Sequence, residues 1–445
     1  MGILEHTLAI RYFRRRLITA IATVAVGVSV FIVIVVMTIM NGLVVDFKQR
    51  NHAFFGDCVI ASASMAGFSG FELLSSRLTA DDAIDSVTPQ VRSFAILTRA
   101  GWTTNAGVSL VGIDTETIGN VTCFRDTLYL PAGNDVFETK DGAPGCVRGI
   151  AMMNSRGPDG EYHHGIDKNA QFTLTSFPLS RTGMPAKQGS DISSSKTFSL
   201  TNDSNSRLAK EDNYNIYVPL EQAQLLCGMS GAEPRVTHLL VKFADGVKLE
   251  EGCEKVRRIF DQFRNEASAD DKTLLDNVSV MSWKMYRREI IAPVEKEQLM
   301  LTLMFLLIGL VTVFVVLVVF VLLVNSKNKD IGIMKSFGVS GGKIADLFLQ
   351  FASLTALTGA GAGAICAVLF LSRINALEQW LYAKFGWQLW DRSMYVIDEI
   401  PDKIRPEIIV TVIVCAVASA MIGALGPALK AARQKPADTL RVGNC

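Results

Sequence analysis

Residues Gln298–Ser326 read QLMLTLMFLLIGLVTVFVVLVVFVLLVNS, with no Asp, Glu, Lys or Arg among them. A bilayer core about 30 Å thick is crossed by a helix of about 20 residues rising ~1.5 Å each. Buried helices of soluble proteins seldom run so far uncharged, so this stretch reads as a membrane span. Three others share its character and are also long enough to cross: Leu17–Val45, Leu347–Ser372 and Ile408–Leu429. Every one of the 44 Lys and Arg and 43 Asp and Glu lies outside these four stretches. Roughly a quarter of the remaining chain is therefore charged, which is ordinary for soluble protein. The whole chain of 445 residues is 49% hydrophobic and 20% charged, with mean hydropathy +0.29. This pattern excludes a soluble enzyme, a β-barrel, a disordered chain and a protein that is mostly membrane. A net charge of +1 offers no basic face to a nucleic acid.

Order and flanking charge set the expected topology. Arg11, Arg14, Arg15 and Arg16 precede the first span. That span is about twice the 7–15 apolar residues of a signal peptide, so it reads as an uncleaved anchor. Lys327, Lys329, Lys335 and Lys343 follow the second span, and Lys430, Arg433, Lys435 and Arg441 follow the fourth. The segment 373–406 balances its basic residues with Glu378, Asp391, Asp398, Glu399 and Asp402. The positive-inside bias then puts both termini and the loop after span two in the cytoplasm of a multi-pass inner-membrane protein. The expected fold is an α-helical membrane protein with four transmembrane helices in 1+3 order and a large α+β extracytoplasmic domain between the first and second. The boundaries are 1–16 cytoplasmic, 17–45 span one, 46–297 outer domain, 298–326 span two and 327–345 a cytoplasmic coupling helix. Span three follows at 346–372, an outer loop at 373–406, span four at 407–429 and a cytoplasmic tail at 430–445.

The segment 46–297 is long enough for a core of its own. Asp57–Ser62, Ser93–Thr98, Val108–Gly112 and His238–Phe243 are short β-branched runs with polar or Gly ends and read as strands. Leu249–Phe263 places Cys253, Val256, Ile259, Phe260 and Phe263 at helical spacing, and Pro219–Leu226 has a Pro at a helix start. Residues 154–213 turn polar (PDGEYHHG, KQGSDISSSK, TNDSNSR) and read as an exposed insertion. Cys58, Cys123, Cys146, Cys227 and Cys253 lie in the outer segment; one or two disulfides are expected there, with the pairing open.

The sequence offers little catalytic chemistry. It has no HExxH and no GxSxG. His163 and His164 sit near Asp159 and Glu161 in a Gly/Pro-rich loop, a solvated arrangement rather than a metal site. Gly338-Val-Ser-Gly-Gly-Lys343 has three residues where a phosphate loop needs four, and Ile344 where it needs Ser or Thr. Neither catalytic nor metal residues are expected, and any energy must come from elsewhere. No ionisable residue lies in a span, which argues against an ion path. In span three, Gly359 and Gly363 form a small-xxx-small pair with Ala356, Ala360 and Ala364 nearby, a signature of tight helix packing. Span one is rich in β-branched residues, with Gly27 near its middle, and is expected to face lipid or a sliding partner.

Asn325–Lys343, NSKNKDIGIMKSFGVSGGK, predicts a short helix that shows Ile331, Met334 and Phe337 to a groove on a cytoplasmic protein; the alternative is a helix lying on the membrane surface. Asp330-Ile-Gly-Ile-Met-Lys335 followed by Gly338 resembles the coupling helix of MacB/FtsX-like ABC permeases. Gly426-Pro-Ala-Leu-Lys-Ala-Ala-Arg433 and the tail to Arg441 are similar to that class's ending. Val36-Met-Thr-Ile-Met-Asn-Gly42, Ser282-Trp283 with Glu295-Lys296, Ile216-Tyr-Val-Pro-Leu220 and Tyr395-Val-Ile-Asp-Glu-Ile-Pro401 resemble elements of the lipoprotein-releasing (LolC/LolE-type) permeases. Leu43 stands where that family has Phe, and 154–213 matches poorly.

The resemblance implies a non-enzymatic permease subunit working by mechanotransmission. A separate cytoplasmic ABC ATPase dimer, holding ATP and Mg, would grip Asp330, Ile331, Gly332, Ile333, Met334, Lys335 and Gly338. This chain itself binds no cofactor. It would pair with a second permease copy or a paralogue, contact membrane lipids, and extract a lipoprotein from the outer leaflet, with a periplasmic chaperone as a further partner. Acyl chains would pass beside Met37, Met40, Asn41 and Gly42. Asp330→Lys or Gly332→Trp would uncouple the ATPase without unfolding the chain. Within the class the alternatives are export of a drug, peptide or toxin, and regulation of a cell-wall hydrolase. Outside it stands a membrane-anchored sensor.

Overall fold

A computed structural model describes residues 17–99, 105–131, 133, 135–139, 142–157, 162–163, 170–186, 192–387 and 400–433, with 17–19, 328 and 329 as backbone only. The arginines before span one, His164, Asp159, Glu161, residues 395–399 and the tail beyond Arg433 lie outside them. The described residues form two compact units. One holds 17–45, 294–387 and 400–433, and the other lies within 46–293.

Four helices are long and apolar enough to cross a membrane: α1 (Leu17–Phe55), α6 (Arg288–Ser326), α8 (Gly341–Leu371) and α10 (Pro406–Arg433). α1 and α6 contribute residues to both units. Both outrun their uncharged stretches, α1 beyond Val45 as far as Phe55 and α6 from Arg288, well before Gln298. The added residues include Lys, Arg, Glu and Gln, which sustain a helix as well as Leu does; hydropathy marks where a span is apolar, not where its helix stops. Between α6 and α8 lies the short α7 (Asn328–Ser336). The segment 373–406, read as a loop, contains helix α9 (Ile374–Phe385). Its exposed Trp380, Tyr382 and Phe385 are the residue types that settle at a membrane interface.

The helical unit packs through small residues. A Cβ placed on Gly363 would lie 2.3 Å from the carbonyl oxygen of Gly27, and one on Gly359 2.6 Å from that of Thr23. Gly27 is therefore seated against α8, and span one does not turn this residue to lipid or to a sliding partner. Gly423 of α10 meets α6 in the same way, with 2.6 Å from its Cβ position to the Val313 oxygen.

The outer unit is built on a nine-stranded mixed sheet. In chain order the strands are β1 (Cys58–Ser62), β2 (Ile84–Thr98), β3 (Ala106–Ile113), β4 (Gly145–Gly149), β5 (Gln171–Ser176), β6 (Ser194–Ser204), β7 (Asn215–Pro219), β8 (His238–Phe243) and β9 (Val278–Ser282). They lie in the order β9-β1-β8-β2-β3-β7-β4-β6-β5, and β2 pairs β5 as well, so the last six strands close on themselves. β3/β7 and β4/β6 are parallel; the other pairs are antiparallel.

At β1, β7 and β8 both faces of the sheet are buried, which explains their unbroken apolar runs. Cys58 and Ile60 of β1, Ile216 and Val218 of β7, and Leu239 and Val241 of β8 join one core. Val59, Tyr217 and Leu240, their neighbours in the chain, join a second core on the opposite face. Helices α2 (Phe71–Thr79), α4 (Leu220–Cys227) and α5 (Leu249–Glu266) feed the first core through Leu74, Leu226, Val256 and Phe260. Both helices read from the sequence, at Pro219 and at Leu249, are present with only small differences at their ends.

The polar stretch 154–213 departs from its reading as an exposed insertion. It supplies β5, β6 and α3 (Ala209–Tyr214), all integral to the unit. Phe198 and Leu200 alternate into the core. Asn202 and Asp203 of β6 are buried but partnered: Asp203 accepts from Nε of Arg148 at 2.6 Å, and Asn202 exchanges hydrogen bonds with Leu130. Composition alone does not reveal such matched buried polar pairs.

Candidate functional site: the α7 helix and a cavity between spans

α7 begins where Lys327 turns the chain out of α6. Ile331 N–H donates to the Lys327 carbonyl at 2.9 Å, and the Lys327 ammonium donates to the Asp330 carboxylate. The helix ends at Gly338, whose φ of +83° is the left-handed conformation a residue with a Cβ resists. Val339 N–H returns to the Met334 carbonyl at 3.1 Å, and Ser340 then starts α8.

One side of α7 is fastened to the bundle. Ile331 is fully buried, Gly332 is buried, and Met334 packs on the same core as Ile344 and Ala431. Lys335 Nζ donates to the Ala432 carbonyl at 2.7 Å, near the C-terminus of α10, where a helix gains from a cation and a donor. Gly341 meets the same carbonyl, with 2.6 Å from its Cβ position to the Ala432 oxygen. The other side is bare. Ile333 is 47% exposed and Phe337 84% exposed, one turn apart on one face.

This corrects the sequence reading of the knobs. Ile331 and Met334 point inward; Ile333 and Phe337 point outward. One-turn spacing gives a face but not which way the face turns. Gly332→Trp also loses its value as a clean test, because its site is buried. Asp330, Lys335 and Gly338 hold the helix in place, and Ile333 with Phe337 is what it can offer a partner.

In the helical unit, α1, α6 and α10 line a half-open cavity of about 510 Å³. Val30, Val33, Met37, Phe305 and Val412 are among its walls, and Thr312 Oγ1 donates to Ser29 Oγ at 3.0 Å within its lining. The lining holds no charged side chain. Of the four residues expected along an acyl path, Met37 lines this cavity. Met40 and Asn41 are half-buried beyond its lining, and Gly42 abuts Pro401, with 2.5 Å between its Cβ position and the Pro401 Cβ.

The outer unit has its own charged centre. Glu211 of α3 lies between Arg92 Nη2 at 2.7 Å and Arg287 Nη1 at 2.9 Å, and Arg287 Nε donates to Asn51 Oδ1 at 2.9 Å. Burial works to raise the Glu211 pKa, but Arg92, Arg287 and a hydrogen bond from Asn215 outweigh it and hold the carboxyl below its usual range. Asn51 lies near the end of α1 and Arg287 just before α6. One buried carboxylate thus ties the outer ends of both helices into the outer unit. Sequence reading missed this centre, since its members are far apart in the chain and form no motif. Among the described residues, no group of three or more His, Cys, Asp or Glu is placed to hold a metal ion.

Four apolar helices in 1+3 order with a mixed α/β unit between the first two define a multi-pass membrane protein. Residues 302–436 match the family described as FtsX-like permease C-terminal. The chain is 25% identical over 166 residues to the lipoprotein-releasing system transmembrane protein LolC of Neisseria meningitidis, covering 37% of this chain and 40% of that protein. It is 26% identical over 137 residues to LolE of Haemophilus influenzae, covering 31% and 33%. The matches thus span well under half of these relatives. The periplasmic region of MacB from Actinobacillus actinomycetemcomitans aligns at 13% identity and TM-score 0.31, over 55% of this chain and 95% of that one. The extracellular domain of the transporter YknZ from Gram-positive bacteria aligns at 12% and 0.30, over 51% and 98%.

Proposed function

We propose that this chain is the permease subunit of a lipoprotein-releasing ABC transporter, lifting acylated proteins from the outer leaflet of the inner membrane. Both termini and α7 face the cytoplasm, and 46–297 lies outside. An ATPase dimer carrying ATP and Mg seats the Ile333 and Phe337 face, and a second permease copy or paralogue completes the complex. The lifted protein passes on to a periplasmic chaperone.

The observation that carries the reading is the division of α7 into a fastened side and a bare apolar side. A helix held by Ile331, Met334 and Lys335 passes any push on Phe337 into α6, α8 and α10 rather than absorbing it. Three further facts support it. The spans carry no charge, the cavity beside Met37 is apolar, and the matched relatives are named as lipoprotein-releasing proteins. Removing acyl chains from a bilayer costs about 0.8 kcal/mol per CH₂, a load that fits ATP-driven work.

The test is Phe337→Asp in the purified complex. Burying a Phe side chain is worth about 1.5–3 kcal/mol, so ATPase binding should weaken by roughly 10–150-fold and stimulation of hydrolysis should fall with it. The helix should persist, because Phe337 touches solvent. Release of an acylated protein from proteoliposomes should be lost in parallel, while the same protein without acyl chains is released by neither variant nor wild type. Normal ATPase stimulation by the variant would sink the docking assignment. Release that ignores acylation would favour export of another substrate.

A further inference from the structure

The outer unit contains five free cysteines: Cys58, Cys146 and Cys227 are buried, Cys123 and Cys253 half-buried. Two of them meet. Cys58 opens β1 and is wholly enclosed in the sheet core. Cys253, near the start of α5, packs against that same core. α5 packs directly on β1, and the two thiols lie close enough for each to shift the other's ionisation. A thiol on a strand and one on the helix covering it are bridged where their Cα atoms lie about 4.4–6.8 Å apart.

We propose that Cys58 and Cys253 form a disulfide that staples α5 to β1, with a dithiol–disulfide oxidant as the electron acceptor. The two thiols are unequal in the way such exchange requires. The neighbouring Cys58 thiol, helped by Arg257, holds the Cys253 pKa below the usual thiol value. The same contact, together with burial, pushes Cys58 up. Cys253 is also the more accessible, so it is the attacking thiolate. It attacks one sulfur of the oxidant; the oxidant's S–S bond breaks, one half leaves as a thiolate and the other remains on Cys253. Cys58 then gives up its proton and attacks the Cys253 sulfur, expelling the second half. Two thiols of the chain are oxidised, one disulfide of the oxidant is reduced to two thiols, and the two protons released end on those thiols. Cys146 is a natural control, since burial pushes its thiol up to about 12.

The pairing itself does not depend on the orientation proposed above, but its occurrence in cells does. The test takes the full chain in detergent with oxidised glutathione, alkylates the remaining thiols and digests without reductant. A peptide pair joined through Cys58 and Cys253 should appear in the wild type and vanish in Cys253→Ser. Oxidation should raise the wild-type unfolding midpoint by roughly 5–15 °C and leave that of Cys253→Ser unmoved. Alkylation of both residues in the presence of oxidant, or a link from either to another cysteine, overturns the proposal. The same mapping on acid-quenched cells separates pairing from placement. A bond formed in cells supports both; one formed in detergent but missing in cells upholds the pairing and counts against an oxidising side for 46–297.

Discussion

His238 opens β8 with both ring nitrogens engaged, Nδ1 with Thr237 Oγ1 at 2.8 Å and Nε2 with the Tyr286 hydroxyl at 3.0 Å. Burial, with Arg92 adding to it, pushes its pKa down to about 3. An unfolded chain protonates this ring near 6.5. Its contribution to stability is therefore complete above pH 6.5 and is lost as pH falls through about 3. Asp212 works the other way. Burial raises it to about 6, so its contribution is present below the ordinary carboxylate range and is lost as pH rises through that value. The difference between wild type and His238→Gln cancels the Asp212 part. At about 1.4 kcal/mol per pKa unit, that difference should shrink by roughly 3–5 kcal/mol between neutral pH and pH 3.5. Hydrogen exchange of the β8 amides as a function of pH would read it, and parallel curves for the two proteins would refute the assignment.

At the scale of elements, the crossing of α1 and α8 rests on absent side chains. Gly363→Ala would set a Cβ 2.3 Å from the Gly27 carbonyl oxygen, whereas Gly361→Ala meets nothing within 4 Å. Forced overpacking costs typically about 1–3 kcal/mol, so Gly363→Ala should lower the unfolding midpoint of the detergent-solubilised chain while Gly361→Ala leaves it in place. Equal midpoints would mean that the two helices do not depend on this contact. The Gly359/Gly363 pair was legible because its spacing is a one-helix property; its partner Gly27 was not, because nothing local to span one encodes a neighbour that lies beyond the whole outer domain in the chain. The same limit accounts for other outcomes. His238–Phe243 and Leu249–Phe263 carry their own periodicity and were readable. β6 was not, since its Asn202 and Asp203 make sense only beside Leu130 and Arg148. α7 was legible as a helix with an apolar face, but its direction follows from Ala432 of α10, far along the chain.

For the whole molecule, the charge-free spans and the buried tie among Glu211, Arg287 and Asn51 support the same reading. Apolar stretches without a charge are a poor conduit for ions but sound mechanical elements, and the outer ends of α1 and α6 are held by groups costly to separate. What such a bundle can accommodate is an apolar chain, and the cavity lined by Val30, Val33, Met37 and Phe305 is where one fits. Val33→Trp should fill that space without touching α7. Val24→Trp, on the same helix at a position 62% exposed, adds the same bulk outside the cavity. If acyl chains pass through this space, Val33→Trp should cut release of an acylated protein from proteoliposomes by about tenfold or more, an energy of about 1.4 kcal/mol, while ATPase binding stays normal and Val24→Trp releases as wild type does. Loss of ATPase binding in Val33→Trp would mean that the bundle itself was disturbed. Unimpaired release with binding intact would place the acyl path elsewhere, leaving the docking face at Phe337 untouched by the result.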